Sequence, residues 1–167
     1  MLKSLNSVLI SGKEVLPLVE GGKGVAVSNG FSSGSWAAAG GVGTFSGVNA
    51  DDYREDGSVI RQIYYGKTRL DRHEELIEYG IKGGIKQAQI AHEISGNNGR
   101  LNVNILWEMG GAQRVLEGIL ERTKGLVHGV TCGAGMPFKL GEIASKFDIF
   151  YYPIVSSARA FKILFLR

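Results

Sequence analysis

The feature that most constrains this chain is a rhythm. Short apolar runs of strand length, closed by glycine or small polar residues, alternate about five times with stretches of helical periodicity. The runs fall at residues 15–19, 43–46, 101–107, 126–131 and 149–155. Between them lie an alanine-rich stretch at 32–39 with serines able to cap it, and a long stretch at 70–95. In the long stretch Leu76, Ile77, Ile81, Ile85, Ala88 and Ala91 recur near the helix period. Further helices are marked by Val115, Leu116, Ile119 and Leu120, by Leu140, Ile143 and Ala144, and by residues 158–166 after a Ser156-Ser157 cap. Strand and helix in strict alternation predict a parallel sheet with helical crossovers, an α/β fold of (β/α) units.

The third to fifth runs are apolar nearly throughout, as in sheets covered on both faces. Two architectures satisfy the pattern: an open doubly wound sheet and a (β/α)-barrel. In both, ligands gather where strands end at their carboxyl side. Here that edge carries residues 20–24, Ser46, residues 104–107, 132–137 and 153–157, the glycine-rich and polar spots of the chain.

Three stretches depart from the rhythm. Residues 47–69 open with a charged excursion (Asp51, Asp52, Arg54, Glu55, Asp56) and contain an expected extra strand at 59–65, which reads as a surface insertion. Gly83-Gly84 is expected to break the long helix in two, since each glycine costs roughly 1 kcal/mol in a helix interior. Pro137 is placed to open a helix at its first position.

A length of 167 residues is that of one domain, 1–167, and 44% apolar with 21% charged residues is a globular composition. The formal charge of +3 is spread over scattered Lys and Arg, with no basic run interleaved with aromatics, so nucleic acid is not an expected partner. One cysteine, Cys132, excludes an internal disulfide and fits a reducing compartment. No stretch reaches the roughly 18 apolar residues of a membrane span. The first residues lack the form of a cleaved leader, and a cytoplasmic location is expected.

Several familiar chemistries are excluded by what is missing. Gly66-Lys67-Thr68 is not preceded by the glycine a phosphate loop needs at position 61, which is Arg. Gly133-Ala134-Gly135 lies between strand and helix, but the third glycine of a dinucleotide fingerprint is Phe138. His92-Glu93 does not continue as HExxH, and no other metal-ligand spacing is present. Cys132 before a helix reads as a small buried thiol rather than a nucleophile, because no histidine has an assignable partner role. Asn104 interrupts an apolar strand near its carboxyl end. A buried amide must be hydrogen-bonded, either to neighbouring backbone or to the polar edge of a cofactor, and the second reading is favoured.

At these positions the sequence resembles a known family. Leu16-Pro17-Leu18-Val19-Glu20-Gly21-Gly22-Lys23-Gly24-Val25-Ala26-Val27-Ser28 is similar to the first strand and loop of the nitronate monooxygenases. Ala37-Ala38-Ala39-Gly40-Gly41-Val42-Gly43-Thr44-Phe45-Ser46 resembles their second strand, and Val103-Asn104-Ile105-Leu106 their third. Cys132-Gly133-Ala134-Gly135-Met136-Pro137 resembles the loop after their fourth strand. Tyr152-Pro153-Ile154-Val155-Ser156-Ser157-Ala158-Arg159-Ala160 resembles the turn after their fifth. The segments occur in the family's order and cover nearly the whole chain. The family's relatives include flavin-dependent enoyl reductases.

The resemblance implies an FMN-binding TIM barrel that oxidises alkyl nitronates with O₂. It implies that Lys23, Gly24 and Val25 lie along the flavin ring, with Lys23 in contact through its backbone. It further implies that Asn104 hydrogen-bonds the flavin, and that Gly133, Ala134 and Gly135 line the substrate side. The family's catalytic histidine and its flavin-phosphate glycines belong to segments beyond the fifth strand, and no catalytic residue is assigned here. A full barrel of this kind takes typically about 250 residues and at least about 200. The expectation is therefore an incomplete TIM barrel of about five strands, truncated at its C-terminal side. As an isolated chain it is expected to be inactive, or to depend on a partner chain supplying the rest of the barrel. The alternatives are an enoyl reductase using NAD(P)H and a non-catalytic half-barrel.

Overall fold

The computed structural model describes residues 5–165. It opens with a hairpin, β1 (Val8–Ile10) and β2 (Lys13–Val15), paired antiparallel. Its two turn residues, Ser11 and Gly12, both have positive φ (48° and 73°), the twist a two-residue hairpin turn requires. This hairpin replaces the start of the first expected strand, at 15–19. What remains touches the sheet through one parallel bridge, Val19 to Val42, with Val42 N–H donating to Leu18 and Glu20 N–H to Val42. Pro17 lacks a ladder donor and Gly21 follows closely, so the pairing stays short.

Four parallel strands follow in the order β3 (Val42–Ser46), β4 (Arg100–Leu106), β5 (Gly129–Gly133) and β6 (Phe150–Pro153). The crossovers contain α2 (Arg69–Ile94), α3 (Ala112–Arg122) and α4 (Leu140–Phe147), while α1 (Gly30–Ala38) precedes β3 and α5 (Ala158–Phe165) follows β6. Asn29 and Thr68 cap α1 and α2 with reciprocal bonds to Ser32 and Asp71. The expected fifth helix ended at Leu166, which lies outside the described residues.

The faces of the sheet decide between the two architectures. Register partners share a face, so Phe45, Val103 and Val130 point one way and Ser46, Asn104, Thr131 and Tyr152 the other. The first set is fully buried in a core with Ile77 and Ile81 of α2, Leu116 and Ile119 of α3, and Leu140 and Ile143 of α4. Burying a residue such as Phe45 or Ile119 contributes roughly 1.5–3 kcal/mol. Helix α1 joins the same side, where Ala37 packs with Ala91 and Leu101. The opposite face carries Thr44, Ser46, Asn102 and Asn104, all buried, and receives the hairpin and the loop after residue 20 instead of a helix. A doubly wound sheet puts helices on both faces. Helices on one face only are the wall of a (β/α)-barrel, here a partial one. The expectation of strands apolar on both faces is corrected: β4 alternates, with Asn102 and Asn104 turned inward.

Four further expectations are revised. Residues 59–65 form no strand beyond a single antiparallel bridge, Tyr53 to Val59. Their backbone bonds go to α2 instead, with Tyr79 Oη at Ile63 and Glu75 Oε1 accepting from Tyr65 and Gly66. Gly83-Gly84 does not break α2, which runs 26 residues without interruption. A Cβ on Gly83 would sit 1.8 Å from the Ala50 carbonyl oxygen, and one on Gly84 2.2 Å from Ile119 Cδ1. The pair serves close packing. The fourth strand is shifted to Gly129–Gly133, and Pro137 stands in a turn ahead of α4, whose cap is Lys139.

Candidate functional site

The carboxyl rim of the sheet is organised by the loop at residues 21–28. Its base is Glu20, 4% exposed, whose carboxylate accepts from Ser32 Oγ (2.8 Å) and from the Thr44 backbone N–H (3.0 Å). One side chain thus joins the first strand segment, the start of α1 and β3. Ser28, also buried, closes the loop on itself: its hydroxyl accepts from Lys23 N–H (3.0 Å) and donates to the Gly21 carbonyl (3.1 Å). The Ser28 carbonyl accepts from Ser46 N–H, and Ala26 N–H donates to the Val48 carbonyl. The loop is therefore pinned at both ends along β3.

Between the pins the chain passes over the inner face. Gly22 lies on Asn104, where an added Cβ would stand 2.3 Å from Asn104 Cβ and 3.0 Å from Thr44 Cγ2, so only glycine fits. Lys23, Gly24 and Val25 are exposed above this floor, and the Val25 side chain is 59% exposed. Three successive residues thus stand exposed at the rim, with apolar Val25 and Val27 among the exposed side chains of the loop.

Asn104 is 3% exposed, covered by Gly22, and its Oδ1 accepts from Thr131 Oγ1 at 3.0 Å. Its amide thus bonds a neighbouring strand and forms part of the loop's floor. Thr131 was not singled out from the sequence. The signal was available in the alternation of β4, which puts Asn104 and its register partner on one face. The Thr44 hydroxyl and Asn102 Oδ1, on the same face, are buried without a hydrogen-bond partner among the described residues.

Gly133, Ala134 and Gly135 lie at the end of β5, where Gly133 and Ala134 carbonyls accept from Trp107 and Glu108 N–H. Ala134 and Gly135 have positive φ (54° and 109°), and Glu108 packs against Gly135. These residues flank the rim beside the end of β4. Cys132 is fully buried just below, and burial pushes its thiol up to about 11, so it is no nucleophile. No group of three or more His, Cys, Asp or Glu able to hold a metal occurs among the described residues.

The arrangement suits a planar group in one respect: an exposed, glycine-bearing stretch of loop pinned from below along β3. The described residues of the rim contain no cluster of cations for a phosphate.

A one-sided wall of parallel (β/α) units with its glycine loops on the carboxyl rim defines the class: a partial (β/α)-barrel. The comparison with solved structures agrees. The chain is similar to FabK from Thermotoga maritima, with 18% identity and a TM-score of 0.56, over 90% of this chain and 37% of that one. At this identity the likeness establishes the fold. No family model matches the chain, and no curated protein matches it.

Proposed function

We propose that the chain is part of a flavin-dependent oxidoreductase of TIM-barrel type, and within that class a nitronate monooxygenase-like enzyme oxidising alkyl nitronates with O₂. The observation that carries this reading is the pinned loop. Gly22 is seated on Asn104, and Lys23, Gly24 and Val25 stand exposed on the rim above it. FMN bound there would supply two-electron redox chemistry. The chain's own residues would supply the surface under the ring, through the backbone of Lys23 to Val25. Gly133 to Gly135 would leave space for substrate, and Asn104 would keep the floor rigid. No side chain at the rim is assigned a proton.

A second reading is a flavin-dependent enoyl reductase of the same fold, reducing an enoyl substrate with NAD(P)H on the same rim; the likeness to FabK supports the shared fold.

In both readings the remaining barrel strands would continue the sheet at β6, its last strand among the described residues. At the rim the isolated chain would bind flavin weakly, because the described residues there give the ring a floor and no cluster of cations for its phosphate. The test is titration with FMN, followed by visible absorbance and fluorescence quenching. Expected is dissociation above the micromolar range and no turnover. Once the remaining strands are supplied, O₂ consumption with a nitronate supports the first reading. Flavin reduction by NAD(P)H without a nitronate supports the second. A complemented barrel that leaves FMN free in solution refutes both.

A further inference from the structure

The opposite end of the sheet holds a second cleft that the flavin reading does not use. Its volume is about 340 Å³, and Ser11, Gly12, Arg100, His128, Phe147 and Phe150 line it. That is the lower end of the range for small-molecule sites, roughly 300–1,000 Å³. Arg100 stands at the first position of β4 and is half-buried, yet its side chain makes no hydrogen bond or ion pair among the described residues. Its Nε is fully enclosed. Its terminal nitrogens are not enclosed, so a guanidinium only partly withdrawn from water and lacking a counter-charge presents open donors to an anion.

Its surroundings carry the same sign. Burial first, and then Arg100, His92 and Lys13, bring the His128 imidazole down to about 4. His128 Nδ1 accepts the Leu101 backbone N–H at 3.3 Å, which puts the ring proton of the neutral form on Nε2 as a free donor. Lys13 Nζ is anchored by Asn98 through its carbonyl and side-chain oxygens. Asp148 supplies the cleft's carboxylate and makes no ion pair with Arg100.

We propose that this cleft binds the phosphate group of a small phosphomonoester, held by the Arg100 guanidinium and His128 Nε2–H, with its organic part against Phe147 and Phe150. A dianion in the cleft meets the Arg100 guanidinium and a ring donor at once, with Lys13 and His92 adding positive potential from outside the lining, which neutral ligands cannot match. The site lies at the amino ends of the strands and is independent of the rim.

The test uses the whole chain, with phenyl phosphate and inorganic phosphate as probes and chloride at equal ionic strength as reference. Calorimetry should show saturable binding of phenyl phosphate, at least about tenfold tighter than inorganic phosphate. NMR titration of the His128 ring should show its pKa rising as the site fills. Arg100→Gln should weaken binding at least tenfold. Asp148→Asn removes the repelling charge, and asparagine tolerates the positive φ of 54° there, so binding should tighten several-fold. Should Arg100→Gln fail to fold, the Asp148→Asn variant and the His128 titration still decide. Binding no tighter than chloride, equal affinity for both phosphates, a stationary His128 pKa or an indifferent folded Arg100→Gln would each overturn the proposal.

Discussion

Helix α2 carries three glycines, Gly80, Gly83 and Gly84, whose replacement by alanine separates backbone propensity from packing. At Gly80 an added Cβ would meet Val115 Cγ2 and Cγ1 at 3.5 and 3.6 Å, which is ordinary contact. Gly80→Ala therefore gains the helix-propensity difference of about 1 kcal/mol. At Gly83 the Cβ would stand 1.8 Å from the Ala50 carbonyl oxygen. Relief needs a movement of roughly 1.7 Å to reach a van der Waals separation of about 3.5 Å. The obstacle is backbone, and the next carbonyl, of Asp51, is held by Gln87 Nε2. Overpacking costs about 1–3 kcal/mol and here falls at the upper end, so Gly83→Ala loses about 2 kcal/mol after the propensity gain. For a domain of this size each kcal/mol moves Tm by about 2–4 °C. Thermal melts followed by far-UV circular dichroism should place Gly80→Ala about 2–4 °C above the parent and Gly83→Ala about 4–8 °C below it. A Gly83→Ala protein as stable as the parent, or a destabilised Gly80→Ala, would refute the reading of this helix as one continuous rod seated on residue 50.

Other outcomes follow from the same geometry. Glu20→Gln turns an acceptor into a donor facing Ser32 Oγ or Thr44 N–H, and urea unfolding should show a loss of about 1–3 kcal/mol. The Cys132 thiol, raised from 9.0 to about 11, should resist a thiol reagent at pH 8 until the protein is unfolded. Its sign is that of a raised group: its contribution to stability is intact below pH 9.0 and disappears as pH climbs to about 11. His128 has the opposite sign. Unfolded, it takes a proton below pH 6.5, whereas folded it holds off until about 4. Acid should therefore erode stability through that window, and His128→Asn should flatten the curve in urea titrations at pH 4.5 and 7.

Much of the architecture was legible in the sequence because parallel strands and their crossover helices carry distinct periods. The one-sidedness of the helices was not, although Asn102 and Asn104 on alternate positions of β4 marked the face that no helix covers. Residues 8–15 hid their hairpin because strands of three residues are too short to show alternation, and the Ser11-Gly12 turn declares itself only through its dihedrals. Gly83-Gly84 misled because a glycine's cost in a helix is local, whereas its benefit, contact with Ala50 and Ile119, comes from distant residues. At the rim, the glycines of the loop could be read from the chain. Their bracing by Glu20, Ser28 and Thr131 could not, since each acts through a bond whose partner the sequence does not name.

The hairpin at the amino end is made first and seated late. Ser11 Oγ bonds Tyr152 Oη at 2.7 Å, and Gly12 lies against the Phe150 ring, so its berth does not exist until β6 has joined the sheet. A contact closed across 141 positions slows folding by the entropy of its loop. While the chain emerges from the ribosome, residues 8–15 can meet Asn98 through Lys13 but lack their aromatic berth. A circular permutant that carries them after residue 165 would bring hairpin and berth out together and should refold faster.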